Sequence, residues 1–328
     1  MGSKSKIEWT DATWNPIIGC SRVSEGCRNC YAETIAGRFG RGKPTVYSGL
    51  TQIVNGRYVW TGQIKETLQL LQPMKWRQPR RVFVNSMSDL FHENVTDEQR
   101  DRIFAVMALC PQHIFQVLTK RPERMLAYLQ QVSKERDMQR WVNAALNLDC
   151  KMPHAWADDI EWPLLNVWLG VSVENQTAAD ERIPLLLKTP AAVRFISAEP
   201  LLGPVKLSSI KWKTEGSGGP AYVDVCQGTF CTVGGYGLPG PKLDWVICGG
   251  ESGPNARPMK VDWARSLRNQ CAGAKVPFFF KQWGEWGPNW LNDDAGGKIQ
   301  ETEHLERMGK RITSSLLDGR EHKEFPAG

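Results

Sequence analysis

Short runs of apolar, β-branched and aromatic residues recur along the chain, separated by longer stretches in which apolar positions fall three or four apart. Seven runs read as strands: Lys6 to Trp14, the weakest, then Arg81 to Asn85, Ile114 to Leu118, Asn166 to Ser172, Val193 to Ser197, Leu243 to Cys248 and Val276 to Phe280. Between them, Asp97 to Ala108 and Val261 to Arg268 carry apolar residues at helical spacing after an acidic start, which predicts helices. Strand-like runs alternating with helical stretches predict repeated βα units and a parallel sheet. The expected fold is α/β, a partial or full parallel (β/α) barrel forming a single domain over 1–328. Two segments interrupt the rhythm. Residues 45–64 read as a β-hairpin turning at Asn55-Gly56, and the glycine- and proline-rich residues 212–242, with Cys226 and Cys231, read as an inserted loop or lid. The polar residues 309–328 are expected to be peripheral.

Six of the runs end at once in polar residues, and parallel β/α folds build their sites at the carboxyl ends of the strands. Lys120, Arg121, Ser172, Glu174, Glu199, Glu251, Lys281 and Gln282 are therefore expected around one mouth, as substrate or cofactor contacts. Each taken alone is more often a solvated or ion-paired residue, and it is as a set at one mouth that about half are expected to contact ligand. Gly249 and Gly250 permit close backbone approach to a ligand, or simply a tight turn.

A composition of 41% hydrophobic and 23% charged residues is that of an ordinary globular protein and excludes disordered, collagenous and disulfide-scaffold classes. No apolar run reaches the ~20 residues of a bilayer span, and the N-terminus leads into no signal-peptide core, so no membrane partner and a cytoplasmic location are expected. A formal charge of +6 is compatible with a polyanionic partner, and the basic, aromatic stretch Lys75-Trp76-Arg77-Gln78-Pro79-Arg80-Arg81 suits phosphate contacts or a solvated edge. Fourteen tryptophans imply aromatic packing or a surface that stacks planar ligands. Nine cysteines in a reducing compartment are thiols, so a close cluster among them points to metal rather than disulfides.

That cluster is Cys20, Cys27 and Cys30, a C-x6-C-x2-C triplet that follows the first strand and precedes a helical start. Three thiolates within one loop suit a [4Fe-4S] cluster with one iron left open, or zinc completed by Cys248 or His92; chance clustering of structural thiols is the third reading. Cys110, Cys150 and Cys271 lie in or beside predicted helices and read as small buried hydrophobes.

Three cysteines after the first strand of a β/α barrel resemble the cluster loop of the radical S-adenosylmethionine superfamily, with two departures. The first spacing exceeds that of the usual C-x3-C-x2-C by three residues, and Asn29 rather than an aromatic precedes the third cysteine, with Tyr31 after it. The stretches Ile7 to Pro16, Val82 to His92, Gln116 to Pro122, Trp168 to Glu174, Ser197 to Gly203 and Gly249 to Gly253 resemble a phage- and prophage-borne (Gp-type) family of radical-SAM-like proteins. The resemblance implies a fold of radical SAM type, a [4Fe-4S] cluster and S-adenosyl-L-methionine as cofactors, and an electron donor such as flavodoxin or ferredoxin. It implies cofactor contacts at Tyr31 and in the turn after the second strand, Asn85, Ser86, Met87, Ser88 and Asp89, whose Ser and Asp read alternatively as helix caps. Phage association implies a phage-infected or prophage-carrying bacterium and a substrate that is DNA or a modified nucleotide. The implied reaction is a radical rearrangement (isomerisation) of a hypermodified thymine in phage DNA. A DNA-lesion repair lyase using the same radical, and a zinc-stabilised nucleic-acid-binding protein without catalysis, are the alternatives.

Overall fold

A computed structural model of the chain describes residues 5–42, 44–134, 138–149, 160–212, 221–231, 237–291, 300–310 and 313–327. The chain divides into two compact units, one of Met1–Ser24, Cys30–Gly170 and Lys188–Val193, the other of Glu25–Asn29, Val171–Leu187 and Arg194–Gly328.

The first unit contains β1 (Ala12–Trp14), β2 (Ile17–Ile18), α1 (Tyr31–Phe39), β3 (Thr51–Val54), β4 (Arg57–Trp60), β5 (Lys65–Glu66), β6 (Arg81–Val84), α2 (Asp97–Ala108), β7 (Ile114–Thr119), α3 (Pro122–Lys134), α4 (Gln139–Leu146) and most of β8 (Val167–Ser172). β1 pairs parallel with β6, and β6 with β7. Of the first expected run, only Ala12–Trp14 is a strand: residues 7–10 close a turn, with Thr10 N donating to the Ile7 carbonyl. The helix from Asp97 forms as its sequence predicts, opened by a capping box in which Thr96 and Gln99 satisfy each other's backbone amides. The expected hairpin is present as β3 and β4, antiparallel and joined by Asn55 and Gly56, both at positive φ. That is the geometry an Asn-Gly turn supplies at least cost.

The second unit contains α5 (Gln176–Lys188), β9 (Val193–Ala198), β10 (Ile210–Trp212), β11 (Ala221–Asp224), β12 (Thr229–Cys231), β13 (Leu238–Pro239), β14 (Trp245–Gly249), α6 (Val261–Ala274), β15 (Phe278–Gln282), β16 (Trp286–Leu291), β17 (Gln300–Arg307), β18 (Leu316–Leu317) and β19 (Arg320–Glu321). β9, β14 and β15 pair in parallel. The segment expected as a loop or lid over 212–242 is a correction: its described residues belong to a four-stranded antiparallel sheet, β10-β11-β12-β13. The reason is apolar alternation too short to stand out among glycines, with Val223 and Val225 fully buried. Residues 213–220 and 232–236 of that segment lie outside the described residues. Residues 313–327 are not peripheral either. Leu317 is fully buried, Phe325 packs on the rings of Trp245 and Phe279, and the His322 carbonyl accepts from Phe280 N.

The protein is thus a mixed α/β fold with seven parallel strands in the order β1-β6-β7-β8-β9-β14-β15, the seven runs expected from sequence, consistent with a partial β/α barrel. The strands are buried almost throughout, β8 and β14 at every position, which is why they read as continuous apolar runs rather than as alternation. Among the described residues, no helix is long and apolar enough to cross a membrane.

Candidate functional site

Cys20, Cys27 and Cys30 are half-buried, whereas Cys110, Cys226, Cys248 and Cys271 are buried, so exposure separates the triplet from the structural thiols. In the first unit, Cys20 and Cys30 pack on one apolar cluster made of Ile18, Ala32, Ala36, Tyr47, Leu50, Trp60 and Met87. Cys20 is placed by Gly19, whose φ of +100° and whose missing side chain both matter: a Cβ there would lie 2.1 Å from the Gln63 carbonyl oxygen. Gly19 N donates to the Met87 carbonyl and Gly62 N to the Cys20 carbonyl, which fastens this loop to β6 and to the hairpin. Cys30 is the N-cap residue of α1, where the helix dipole favours a thiolate.

The turn after β6 spends most of its polar groups on the fold. Ser86 Oγ donates to Asn15 Oδ1, Ser88 Oγ donates to the Ile17 carbonyl, and Met87 is part of the apolar cluster beneath the cysteines. Asp89 accepts from Thr119 Oγ1 at 2.7 Å, from Lys120 N and from Arg121 Nη1, binding the turn to the end of β7. Asn85 is the exception. Its φ is 60°, the residue is 3% exposed, and neither its amide nitrogen nor its amide oxygen has a hydrogen-bond partner among the described residues. A buried amide left so costs about 1–3 kcal/mol unless something accepts from it and donates to it. Tyr31, half exposed, donates its hydroxyl to the Ser86 carbonyl at 2.8 Å and so joins the start of α1 to this turn.

Arg121 faces inward. Its guanidinium donates to Asp89, to Glu93 Oε2 at 3.0 Å, to Ser21 Oγ at 2.7 Å and to Cys20 Sγ at 3.9 Å. Burial pulls its pKa down, but Asp89, Cys20 and Glu93 outweigh that and hold it above the ordinary value. Burial likewise pushes Glu93 up, but hydrogen bonds and Arg121 bring it down to about 2. His92 is hydrogen-bonded through both ring nitrogens. Its Nδ1 accepts from Asn94 N, which leaves the proton on Nε2 to face Ser21 Oγ, while burial and then Arg121 hold its pKa below the ordinary value. Lys120 is half-buried at the same strand end, and among the described residues its ammonium has no partner.

In the second unit, the segment that bears Cys27 is clamped from two sides. Glu251, which is buried, accepts at Oε2 from Asn29 Nδ2 and from Arg257 N and Nε, and at Oε1 from Arg257 Nη2 at 2.7 Å. Arg257 reaches on to Glu25 Oε1 at 3.0 Å. Burial raises the Glu251 pKa, but the hydrogen bonds from Arg257 and Asn29 outweigh it and hold the carboxyl below its usual range. Glu174, 2% exposed, lies against Gly26 and is ion-paired with Arg182 at 2.8 Å, and Arg182 also donates to the Ser172 carbonyl. Glu174 and Glu251 therefore hold the segment on either side of Cys27, at Glu25 and Gly26 before it and at Asn29 after it.

Glu199 and Lys281 form an ion pair at 2.8 Å, with Ser197 Oγ also donating to Glu199. The space beside Gly249 is filled by the Glu199 carboxylate, and that beside Gly250 by the Trp283 carbonyl, where a Cβ would lie 1.8 Å away. Gln282 donates to Ser252 Oγ. Cys248 is fully buried, and burial, then Glu199, raises its thiol pKa strongly. Cys226 is a free thiol in the turn between β11 and β12, as expected, but it is buried there and hydrogen-bonded with Cys271. Cys150 and the Cys231 side chain lie outside the described residues.

Arg182 and Arg257 were not singled out by sequence, because each is separated from its partner by intervening chain and belongs to no local pattern, and Asn29 was noted only as the residue before Cys30. Only the prior that a carboxylate at a buried strand end needs a cation points toward the two arginines. Among the described residues, no three His, Cys, Asp or Glu side chains form a group that could hold a metal ion. The donor set still fits a soft metal in residue type, exposure and support, and the Asn85 amide fits a ligand that both donates and accepts. No curated protein and no solved structure matches the chain. A family model described as "Protein of unknown function (DUF5131)" matches residues 4–326, nearly the whole length, and the chain belongs to that family.

Proposed function

We propose that the protein is a radical S-adenosylmethionine enzyme acting on a nucleobase-containing substrate, with Cys20, Cys27 and Cys30 as the ligands of a [4Fe-4S] cluster. The observation that carries the reading is the Asn85 amide, buried and without a partner among the described residues at the carboxyl end of β6, in a turn whose Ser86 carbonyl accepts from Tyr31, the residue after Cys30. An amino acid end, with its ammonium donor and carboxylate acceptor, would satisfy both atoms of that amide. Bound there, cluster and cofactor would supply reductive cleavage of the sulfonium and hydrogen abstraction from the substrate.

The chain's own residues then have separable tasks. Gly19 and the apolar cluster fix Cys20 and Cys30, and the Glu251–Arg257–Asn29 and Glu174–Arg182 groups fix the residues on either side of Cys27. Arg121 orients and stabilises the Cys20 thiolate, and Asp89 holds Arg121 and the Asn85 turn together. Lys120, a half-buried cation without a partner among the described residues, suits an anionic group of substrate or cofactor. Rearrangement of a hypermodified thymine is the substrate step we assign, with the repair-lyase and zinc-protein alternatives as outcomes of the test.

Anaerobic reconstitution decides the matter. Wild-type protein should turn brown, bind about four irons per chain and cleave the cofactor under reduction. Cys20→Ala, Cys27→Ala and Cys30→Ala should each lose both properties, while Cys110→Ala keeps them. Colourless protein with bound zinc, or unchanged iron in all three variants, would overturn the reading. Product masses from a modified-thymine oligonucleotide and from lesion-bearing DNA then separate rearrangement from lyase chemistry.

A further inference from the structure

Positive charge is concentrated in one stretch of the chain. Residues 34–88 carry nine lysines and arginines against a single acid, Glu66, a local excess of eight in a chain whose total is +6. The remainder is therefore slightly acidic, and the modest net charge conceals a strongly basic region. All of it belongs to the first unit.

Apart from Lys43, which lies outside the described residues, and Lys65, whose ammonium donates to the Ser48 carbonyl, these cations fall into two groups. Arg38, Arg41 and Arg57 are exposed on α1 and the β3-β4 hairpin, together with Phe39 at 60% exposure and with Ile53 and Val54. The Arg41 guanidinium lies 5.0 Å from the centre of the Tyr58 ring, and that ring rests on the α1 backbone at Gly37, where even a Cβ would lie 2.1 Å from it. Trp60 N donates to Glu33, which is itself buried and paired with Arg22 at 2.6 Å, so the acid nearest in sequence presents no charge to this face. Helix and hairpin therefore form a fixed platform of exposed arginines and aromatic and β-branched side chains. Its underside is the apolar cluster that carries Cys20 and Cys30.

The second group, Lys75 to Arg81, precedes β6 and so lies at the opposite end of that strand from Asn85, roughly 15 Å away for a strand of this length. Arg81 is bound to Asp11, and Arg80 stacks over Trp76, which leaves Lys75 and Arg77 as its exposed cations.

We infer that the α1–hairpin platform is a docking surface for a single nucleic acid strand, with Arg38, Arg41 and Arg57 facing phosphates and Phe39 stacking a base. This deepens the proposed function, on which it rests for the chemistry done to that strand, and moves the phosphate contacts away from Lys75–Arg81. A repeating anion answers the charge excess, and unstacked bases answer the exposed ring, which an acidic peptide would leave unused and duplex DNA could not reach with its stacked bases.

The test is fluorescence anisotropy of a labelled oligothymidylate with the full chain at low and high salt. Replacing Arg38, Arg41 and Arg57 together by Gln should weaken binding at least about tenfold and reduce the slope of log affinity against log salt by about 2. Phe39→Ala should weaken it by roughly tenfold. Lys75→Gln with Arg77→Gln should change it less than about twofold. Unchanged affinity in the triple variant, loss carried by the Lys75/Arg77 pair, or equal binding of a polyglutamate peptide would each overturn the inference. Iron content and cofactor cleavage without oligonucleotide, read on the same variants, should match wild type. Their failure in wild-type protein would strike the proposed chemistry while leaving strand binding to be judged separately.

Discussion

Arg121 Nη1 lies 3.9 Å from Cys20 Sγ and also donates to Asp89, while Nε of the same guanidinium donates to Glu93. A residue at a strand end that sequence assigns to the substrate is thereby turned toward a proposed cluster ligand. Only a planar, five-donor group can serve a sulfur, a hydroxyl and two carboxylates at once. Arg121→Lys keeps the charge and loses that geometry. It should lower stability to urea by about 1–3 kcal/mol, since Asp89 stays buried with fewer partners, and should speed iron loss to a chelator. Lys120→Gln, which removes the cation next door, should leave both measurements near wild type.

Asn85→Gly separates the cost of an orphaned amide from its use. Glycine adopts the 60° φ without strain and removes the two unpartnered polar atoms, so stability should stay within about 1 kcal/mol of the parent. Affinity for S-adenosylmethionine, measured by calorimetry on cluster-loaded protein, should fall about tenfold, the loss of one or two hydrogen bonds. Equal affinity in the variant would remove Asn85 from the cofactor site.

How much of this was legible beforehand follows from what each feature depends on. The seven strands were readable because parallel strands buried on both faces are continuous apolar runs, and the hairpin because Asn55-Gly56 has a local conformational reason to turn. Thr96 and Gln99 announce the start of α2 in the same local way. The roles of strand-end residues were not readable. Asp89, Glu174 and Glu251 share one sequence signature, a carboxylate after an apolar run, yet each is bound by an arginine placed by tertiary structure. Asn85 differs from Ser86 and Ser88 only in what surrounds it. The platform on α1 was hidden because net charge averages over the chain, and the small sheet over 210–239 because its strands are two to four residues long.

Glu251 gives the Cys27 segment a pH dependence with a definite sign. Its folded carboxyl sits below the unfolded value because hydrogen bonds from Arg257 and Asn29 outweigh its burial. The stabilisation is therefore complete above the ordinary carboxylate range, near pH 4.5, and is lost as pH falls through the lower folded value. Protection of the amides of residues 25–29 against hydrogen exchange, taken relative to the intrinsic rate at each pH, should be high at neutral pH and fall in that acidic window. Glu251→Gln, which cannot hold Arg257 as an ion, should make the same amides exchange faster at neutral pH and flatten the acidic dependence.

Gly249 and Gly250 are adjacent, and replacing each by alanine should have sharply different consequences. At Gly250 a Cβ would lie 1.8 Å from the Trp283 carbonyl oxygen and 2.6 Å from its carbon, and backbone at the end of β15 cannot withdraw without breaking the Gly250 N to Gln282 carbonyl bond. Gly250→Ala should cost more than about 4 kcal/mol or prevent folding, the class of effect reserved for backbone overlap in a packed core. At Gly249 the nearest atom is the Glu199 Oε1, 2.7 Å away at the end of a flexible side chain. Glu199 can rotate aside, so Gly249→Ala should fold with a loss of about 1–2 kcal/mol, and the displaced carboxylate should release Lys281 from their 2.8 Å pair. Urea denaturation of both variants, with the reactivity of Lys281 toward an amine-modifying reagent followed by mass spectrometry, reads the two effects. Similar stability losses in the two variants, or an unreactive Lys281 in Gly249→Ala, would show that the paired glycines do not serve these two different neighbours.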